Sequence, residues 1–373
     1  MKIISTQENL KNGLQIVSRV VGNSSTLPIL NNVMLETDNG LLKISGTNLE
    51  TGISTYIRCA IEEEGGICVG VKTITDLINS FPSENITIET GELETSITTD
   101  NSNVKIKHLS TEDFPLIPKI EDSGVVKINA IDLKTALDQV IFASSTSETQ
   151  PEISGILFWF GGENVLITAT DRYRLAEKKV SYKGDVSSLG TSENGQKIII
   201  PHRSSIEISR LLTGLTGEIE LNITSTQLAF NLENTYIVTR LIDGTYPDYQ
   251  QIIPDSSNTT IIFDKNDLVS ALKTSSVFSR GSGSITVNYD SEQNSMQLNS
   301  VSHDLGESKV DVVCRISGPS GSLVVNYRYL SDFLNNLNTD TLVMKIIDEN
   351  EPITFVPEND NSYLYLVMPI KQQ

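Results

Sequence analysis

The chain has 373 residues, 38% of them hydrophobic, and a formal net charge of −19 at neutral pH. That length exceeds one ordinary core and suits two or three domains, and no run approaches the ~18 apolar residues of a membrane span. Such acidity argues against a uniformly basic nucleic-acid binder, while three cysteines without CxxC spacing, Cys59, Cys68 and Cys314, argue against a disulfide framework or zinc site.

The opening stretch MKIISTQENLKNG lacks an apolar run of signal-peptide length, so a soluble cytoplasmic chain in a reducing compartment is expected. Its first predicted element is a helix over 6–21. Thr6 can cap it, and Leu10, Leu14, Val17 and Val21 form one apolar stripe. A second helix is predicted at 72–80 and an alternating strand run at NITIET, before EDFPLIP (112–118) closes the segment and KIEDSGV reads as a linker.

The pattern then recurs. A helix over 129–144, capped by Asn129 and striped by Leu133, Leu137 and Val140, leads to the strand runs ENVLITAT and KIIIPH, a helix at 201–213 and the run GEIELNIT. DGTYPDYQQIIP (243–254) closes this segment, and DSSNTT is the second linker. A third helix of the first kind, 264–280 with Asp264 as cap, precedes SITVNYD, SMQLNS and a final helix at 326–337. Each segment therefore opens on a helix and carries two.

Leu10 and Leu133, Pro28 and Pro151, and Thr47 and Thr170 all stand 123 positions apart. The third copy is less regular, with Leu268 135 beyond Leu133 and Ser302 132 beyond Thr170. Shared offsets of this size mark tandem units of about 120 residues. We place the boundaries at 1–121, 122–254 and 255–373, an α+β chain of three similar domains, each with two helices and antiparallel sheets.

No catalytic constellation appears. GxxxxGK[ST], HExxH and GxSxG are absent, and His108, His202 and His303 are about a hundred residues apart. RGSGS at 280–284 lacks the lysine and helix of a phosphate cradle, and IEEEGG at 61–66 reads as a solvated acidic turn, so no metal or cofactor is expected. The six helical segments together are weakly positive, so the acidity lies in the strands and loops; this permits a phosphate-facing helical surface and equally permits an ordinary solvated one.

Four motifs, TLPIL (26–30), ATDRYRLA (169–176), DGTYPDY (243–249) and YLVMPI (365–370), resemble the bacterial sliding clamp family, the beta subunit of DNA polymerase III, and the likeness spans the chain. It implies a DNA clamp fold and a head-to-tail homodimer, a six-domain ring whose helices face duplex DNA. The implied function is non-catalytic: tethering the replicative polymerase for processivity. Implied partners are double-stranded DNA without sequence preference, the polymerase alpha subunit, the clamp loader and other proteins with a clamp-binding motif; no membrane is involved.

Residue by residue, the resemblance implies a peptide-docking pocket at Ile153, Thr170, Tyr173, Arg174, Leu175, Pro247, Ile252, Val367, Met368 and Pro369. DNA contacts would come from Lys11, Arg19, Lys72, Arg203, Arg210, Lys273 and Arg280, and ring closure from Val104 and Ile106 against Val277 and Phe278. Weak phosphate contacts suit sliding, because strong base contacts would stall it. Three departures from the family stand out: GNSS (22–25) lacks a basic residue, Arg172 replaces Gly or Ser, and KQQ extends the C-terminus. An enzyme with an unrecognised site and a monomeric tandem-domain binder are the competing readings.

Overall fold

The structure is a computed structural model that describes residues 1–22, 27–120, 124–147, 149–186, 195–279 and 281–371. Seven α-helices punctuate the described strands: α1 (Gln7–Val17), α2 (Val71–Ser80), α3 (Ala130–Val140), α4 (Pro151–Ser154), α5 (His202–Leu211), α6 (Lys265–Ser275) and α7 (Tyr327–Asn335). All described strand pairs are antiparallel.

The three expected caps are in place. Thr6 accepts from the Asn9 amide at 3.2 Å, Asn129 from Ile131 at 2.9 Å, and Asp264 from both Asn266 and Asp267. Each helix of this kind ends earlier than the predicted bound, at Val17, Val140 and Ser275. In α1 the Ser18 amide still bonds to Leu14, but residues 18–20 form a turn.

The segments do not open on helices. A strand precedes each one, Lys2–Thr6, Gly124–Asn129 and Thr259–Asp264, so both expected linkers end inside strands. The stretches KIIST, GVVKIN and TTIIFD alternate buried and more exposed positions, the period of a half-buried strand.

The chain divides into two compact units. The first comprises Met1–Ile131, Lys183–Thr191 and Ile206–Leu241; the second comprises Asp132–Tyr182, Ser192–Ser205 and Ile242–Gln373. The middle repeat is thus shared between them, and strand pairing explains why. Its strand Thr235–Arg240 joins Thr51–Ile57 in the first unit, and its strand Arg174–Gly184 joins Tyr363–Val367 in the second. Hydrogen-bonded edges between repeats make continuous sheets, so compactness follows the sheets and not the repeat boundaries.

In the first unit, a five-stranded sheet runs in the order 60–63, 2–6, 85–90, 94–98, 103–107, and an eight-stranded sheet in the order 66–70, 32–38, 41–47, 51–57, 235–240, 227–232, 218–223, 124–129. Helix α1 buries Leu10, Leu14 and Val17, and α2 buries Ile74 and Ile78. The Gln7 amide donates to the Ile78 carbonyl at 2.9 Å and ties the two helices together. Close approach demands Gly46, where a Cβ would lie 2.5 Å from Val17.

In the second unit, strands 196–200, 156–161, 164–170, 174–184, 363–367, 353–357, 341–346, 259–264 and 314–317 form one sheet. Strands 321–326, 284–290, 295–302 and 306–313 form another. Under α7, Phe333 stacks on Tyr365 at 4.4 Å between ring centroids and on Tyr363 at 6.1 Å. Among the described residues no helix is long and apolar enough to cross a membrane, and no group of three His, Cys, Asp or Glu is placed to hold a metal ion.

Candidate partner-docking site

All ten residues assigned to the docking pocket lie in the second unit. The strand Arg174–Gly184 lies between Asn164–Thr170 and Tyr363–Val367, placing Thr170 opposite Leu175 and Arg174 opposite Val367. The Met368 amide then donates to the Tyr173 carbonyl at 2.8 Å, and the Ser145 amide reaches the carbonyls of both Ile153 and Thr170 at 3.2 Å. Seven of the ten are thereby joined, Ile153 from the short helix α4 and the others along this sheet edge; Pro369 follows Met368, and Pro247 and Ile252 come from the separate segment before and in the turn Tyr249–Ile252.

A core cluster underlies this surface: Leu157, Leu175, Ile199, Tyr246, Tyr249 and Leu366, with Trp159, Ile242, Ile253 and Met368 packed against it. Leu175 and Val367 are fully buried, and Ile153, Thr170 and Pro369 are buried as well, so these five support the floor and do not face solvent. Met368 is half-buried, whereas Tyr173 (62%) and Ile252 (44%) are exposed. The accessible apolar material is therefore Met368, Ile252, Pro247 and Tyr173, a flexible thioether beside bulkier groups, which suits an adaptable docking surface.

Arg174 is held from several sides. Its Nε donates to Asp171 at 3.0 Å and its Nη1 to Asp332 at 2.6 Å, and its guanidinium lies 4.6 Å from the Tyr329 ring centre and 5.6 Å from Phe142. Burial opposes its charge, but Asp332, Tyr365 and Asp171 outweigh burial and hold its pKa above the ordinary value. Asp171, Asp332, Phe142 and Tyr329 were not singled out from sequence. Tyr246 and Tyr249 were quoted within DGTYPDY, but only Pro247 was drawn from that motif.

The turn at this edge is written twice in the chain. Thr170 Oγ1 donates to the Arg174 carbonyl and receives the Arg172 amide, while Asp171 Oδ1 receives the amides of Tyr173 and Arg174. In the first unit, 123 positions earlier, Thr47 bonds Thr51 and Leu49, and Asn48 receives Glu50 and Thr51. Arg172 and Leu49 take matching φ values of 77° and 72°. That left-handed backbone accounts for the Gly that the resemblance leads one to expect at Arg172, since glycine adopts it without strain.

Of the residues assigned to DNA, Lys11 and Lys72 lie on α1 and α2 of the first unit, with Arg19 exposed in the turn after α1. Arg203 opens α5 and is exposed, while Arg210 is paired with Glu207 at 2.6 Å. Lys273 borders a cleft of about 350 Å³ lined by residues of α6 and α7. Arg280, most of GNSS and the last two residues of KQQ lie outside the described residues. Val104 and Ile106 are half-buried on the outermost strand, 103–107, with Lys105 and Lys107 exposed between them. Val277 is 43% exposed and Phe278 half-buried; Val301 and Leu305 are also exposed in that unit.

The histidines have local roles. His108 bonds Thr95 at 2.9 Å, His202 bonds Ser144 at 2.6 Å, and His303 is exposed beside Asp304. Burial and the adjacent Arg203 depress the pKa of His202.

Profiles of the DNA polymerase III beta subunit match residues 1–118 as its N-terminal domain, 127–248 as its central domain and 250–371 as its C-terminal domain. The chain belongs to the DNA polymerase III beta subunit family. The beta sliding clamp of Synechocystis sp. is 28% identical over all of this chain and 99% of its own length, and that of Staphylococcus aureus is 26% identical over 95% and 94%. The Bacillus subtilis sliding clamp structure superposes with a TM-score of 0.93 at 24% identity, each chain covered completely. A Bartonella birtlesii sliding clamp bound to griselimycin gives 0.92 at 26%, again over both whole chains. The three-domain α+β reading of the sequence agrees with these beta-subunit structures.

Proposed function

We infer that the chain is a DNA sliding clamp, the non-catalytic subunit that gives DNA polymerase III its processivity. The observation that carries this is the succession of three beta-subunit domains along nearly the whole chain. At finer grain we propose three tandem domains bounded at 1–121, 122–254 and 255–373, a homodimeric ring around duplex DNA, and residence in the cytoplasm. Three free cysteines fit a reducing compartment.

For DNA, exposed Lys72, Arg203 and Lys273 supply mobile positive charge, and a ring that retains DNA by threading requires only such weak, salt-sensitive contacts. For closure, strand 103–107 offers an unpaired edge among the described residues, with Lys105 and Lys107 exposed. Strand 306–313 offers another, with Glu307, Lys309 and Asp311 exposed and apolar Val277, Val301 and Leu305 nearby in sequence or fold. Joining two such edges between subunits satisfies both ladders. For partners, the Met368 surface is proposed to receive the apolar side chains of short linear peptides from the polymerase alpha subunit, the clamp loader and other clamp-binding proteins.

Loading onto DNA tests the central reading. A clamp loaded by a clamp loader stays on closed circular DNA and leaves after linearisation, with a solution mass near twice 40.9 kDa. Equal retention on both DNA forms would refute encirclement, and a monomer would refute the ring. Met368→Ala should weaken binding of a fluorescein-labelled Gln-Ala-Asp-Leu-Ala-Phe peptide without changing that mass.

A further inference from the structure

Beside the docking surface lies a half-buried carboxylate, at the point where one face of its strand passes from buried Leu175 to exposed Lys179. Glu177 stands two positions after fully buried Leu175 on the same face of its strand, flanked across the sheet by Thr168 and Leu364. A carboxylate at such a place is unfavourable unless its oxygens are bonded. The Tyr249 hydroxyl donates to Glu177 Oε2 and itself receives Thr168 Oγ1 at 3.1 Å. Burial raises the Glu177 pKa against the opposing pull of Tyr249, Thr168 and Lys179.

Tyr249 begins the 3-10 turn Tyr249–Ile252, two residues after Pro247. Its ring meets Tyr246 and Trp159 edge-on at 6.3 and 6.5 Å. Among the described contacts, the hydroxyl's bonds with Glu177 and Thr168 are directional, whereas the ring contacts are apolar and do not fix orientation.

We propose that Glu177 is a positioning residue for the docking surface: by receiving the Tyr249 hydroxyl it fixes the 249–252 turn and so sets how far Ile252 and Pro247 stand from Met368. This deepens, and rests on, the reading of that surface as a peptide-docking site. Glu177 itself touches no ligand; it determines the width available to an entering side chain.

The test uses the full chain and the labelled Gln-Ala-Asp-Leu-Ala-Phe peptide. Glu177→Ala should lower affinity about tenfold, the scale of losing one charge-assisted hydrogen bond. Glu177→Gln, whose amide oxygen still accepts the hydroxyl, should stay within about twofold of wild type. Trp159, the chain's one tryptophan, should shift its emission in the alanine variant and recover in the glutamine variant. Should Glu177→Ala fail to fold, Tyr249→Phe removes only the hydroxyl and carries the same expected tenfold loss. Alanine or phenylalanine variants that bind like wild type, or a glutamine variant as weak as alanine, overturn the positioning role. If wild type does not bind the peptide, or Met368→Ala changes nothing, the docking reading itself falls.

Discussion

Replacing Arg174 with alanine removes a side chain that three kinds of contact hold at the edge of the docking surface. The Arg174 side chain is 11% exposed, Asp171 16% and Asp332 46%. Asp332 can turn to solvent, so its loss counts as a surface pair of roughly 0–1 kcal/mol. Asp171 is stranded in a poorly solvated place, where breaking a pair costs about 3–5 kcal/mol. Its Oδ1 keeps the amides of Tyr173 and Arg174, which lowers that figure. Loss of the cation over Tyr329 adds roughly 0.5–2 kcal/mol, but the effects overlap, and the expected total is about 3 kcal/mol. Urea unfolding followed through Trp159, which shares the second unit, reads this directly. Arg174→Lys retains charge without the two-sided grip and should recover about half. An alanine variant within about 0.5 kcal/mol of wild type would refute the assignment, since ordinary surface changes fall in that range.

Three further outcomes are expected. Leu175→Ala empties a fully buried site beneath Met368 and should destabilise the second unit by about 3 kcal/mol, so it perturbs fold and docking together, whereas Met368→Ala separates them; equal melting temperatures for Leu175→Ala and wild type would contradict this. Asp264→Ala removes the acceptor for two amides of α6 and should cost about 1 kcal/mol in urea unfolding. At Asp360, burial pushes the pKa up, but hydrogen bonds from Lys178 and Ser362 outweigh it and hold the value down. Its contribution is therefore present above the ordinary aspartate pKa near ~3.9 and fades as pH falls through the lower folded value. The stability gap between wild type and Asp360→Asn should close over that acid window; a gap independent of pH there would remove the ion pair from the account.

What sequence conveys here is local chemistry repeated at a fixed interval. Thr6, Asn129 and Asp264 are legible as caps because a cap depends on one side chain and the amides two or three residues on. The opening strands were missed because KIIST, GVVKIN and TTIIFD are short and carry lysine, serine or threonine among their apolar residues. Pairing of Thr51–Ile57 with Thr235–Arg240 was beyond reach for a different reason: 180 or more positions separate the partners, and nothing in either string names the other. The docking surface was half legible. Met368 and Thr170 sit in motifs, but Trp159, Tyr249 and Glu177 matter only through a packing arrangement that brings separated segments together.

The duplicated turn shows how one scaffold reaches two outcomes. Both copies keep the Thr and Asx hydrogen bonds and the left-handed residue, so the backbone presents the next strand alike in each. The side chains on that strand differ. Where the second copy has Leu175, the first has Gly52, and Ile117 fills the vacated space from the crossing segment, 2.9 Å from where a Cβ would stand. Thr51 replaces Arg174, and by strand register Thr239 and Arg240 replace Val367 and Met368. The first copy therefore fills the place of Leu175 with Ile117, keeps a cleft of about 180 Å³ beside it, and presents exposed Arg240 where the second presents a soft thioether. The turn is common to both copies; the proposed docking surface is distinguished by its apolar floor and the methionine beside it, and those are the positions at which the two copies have diverged.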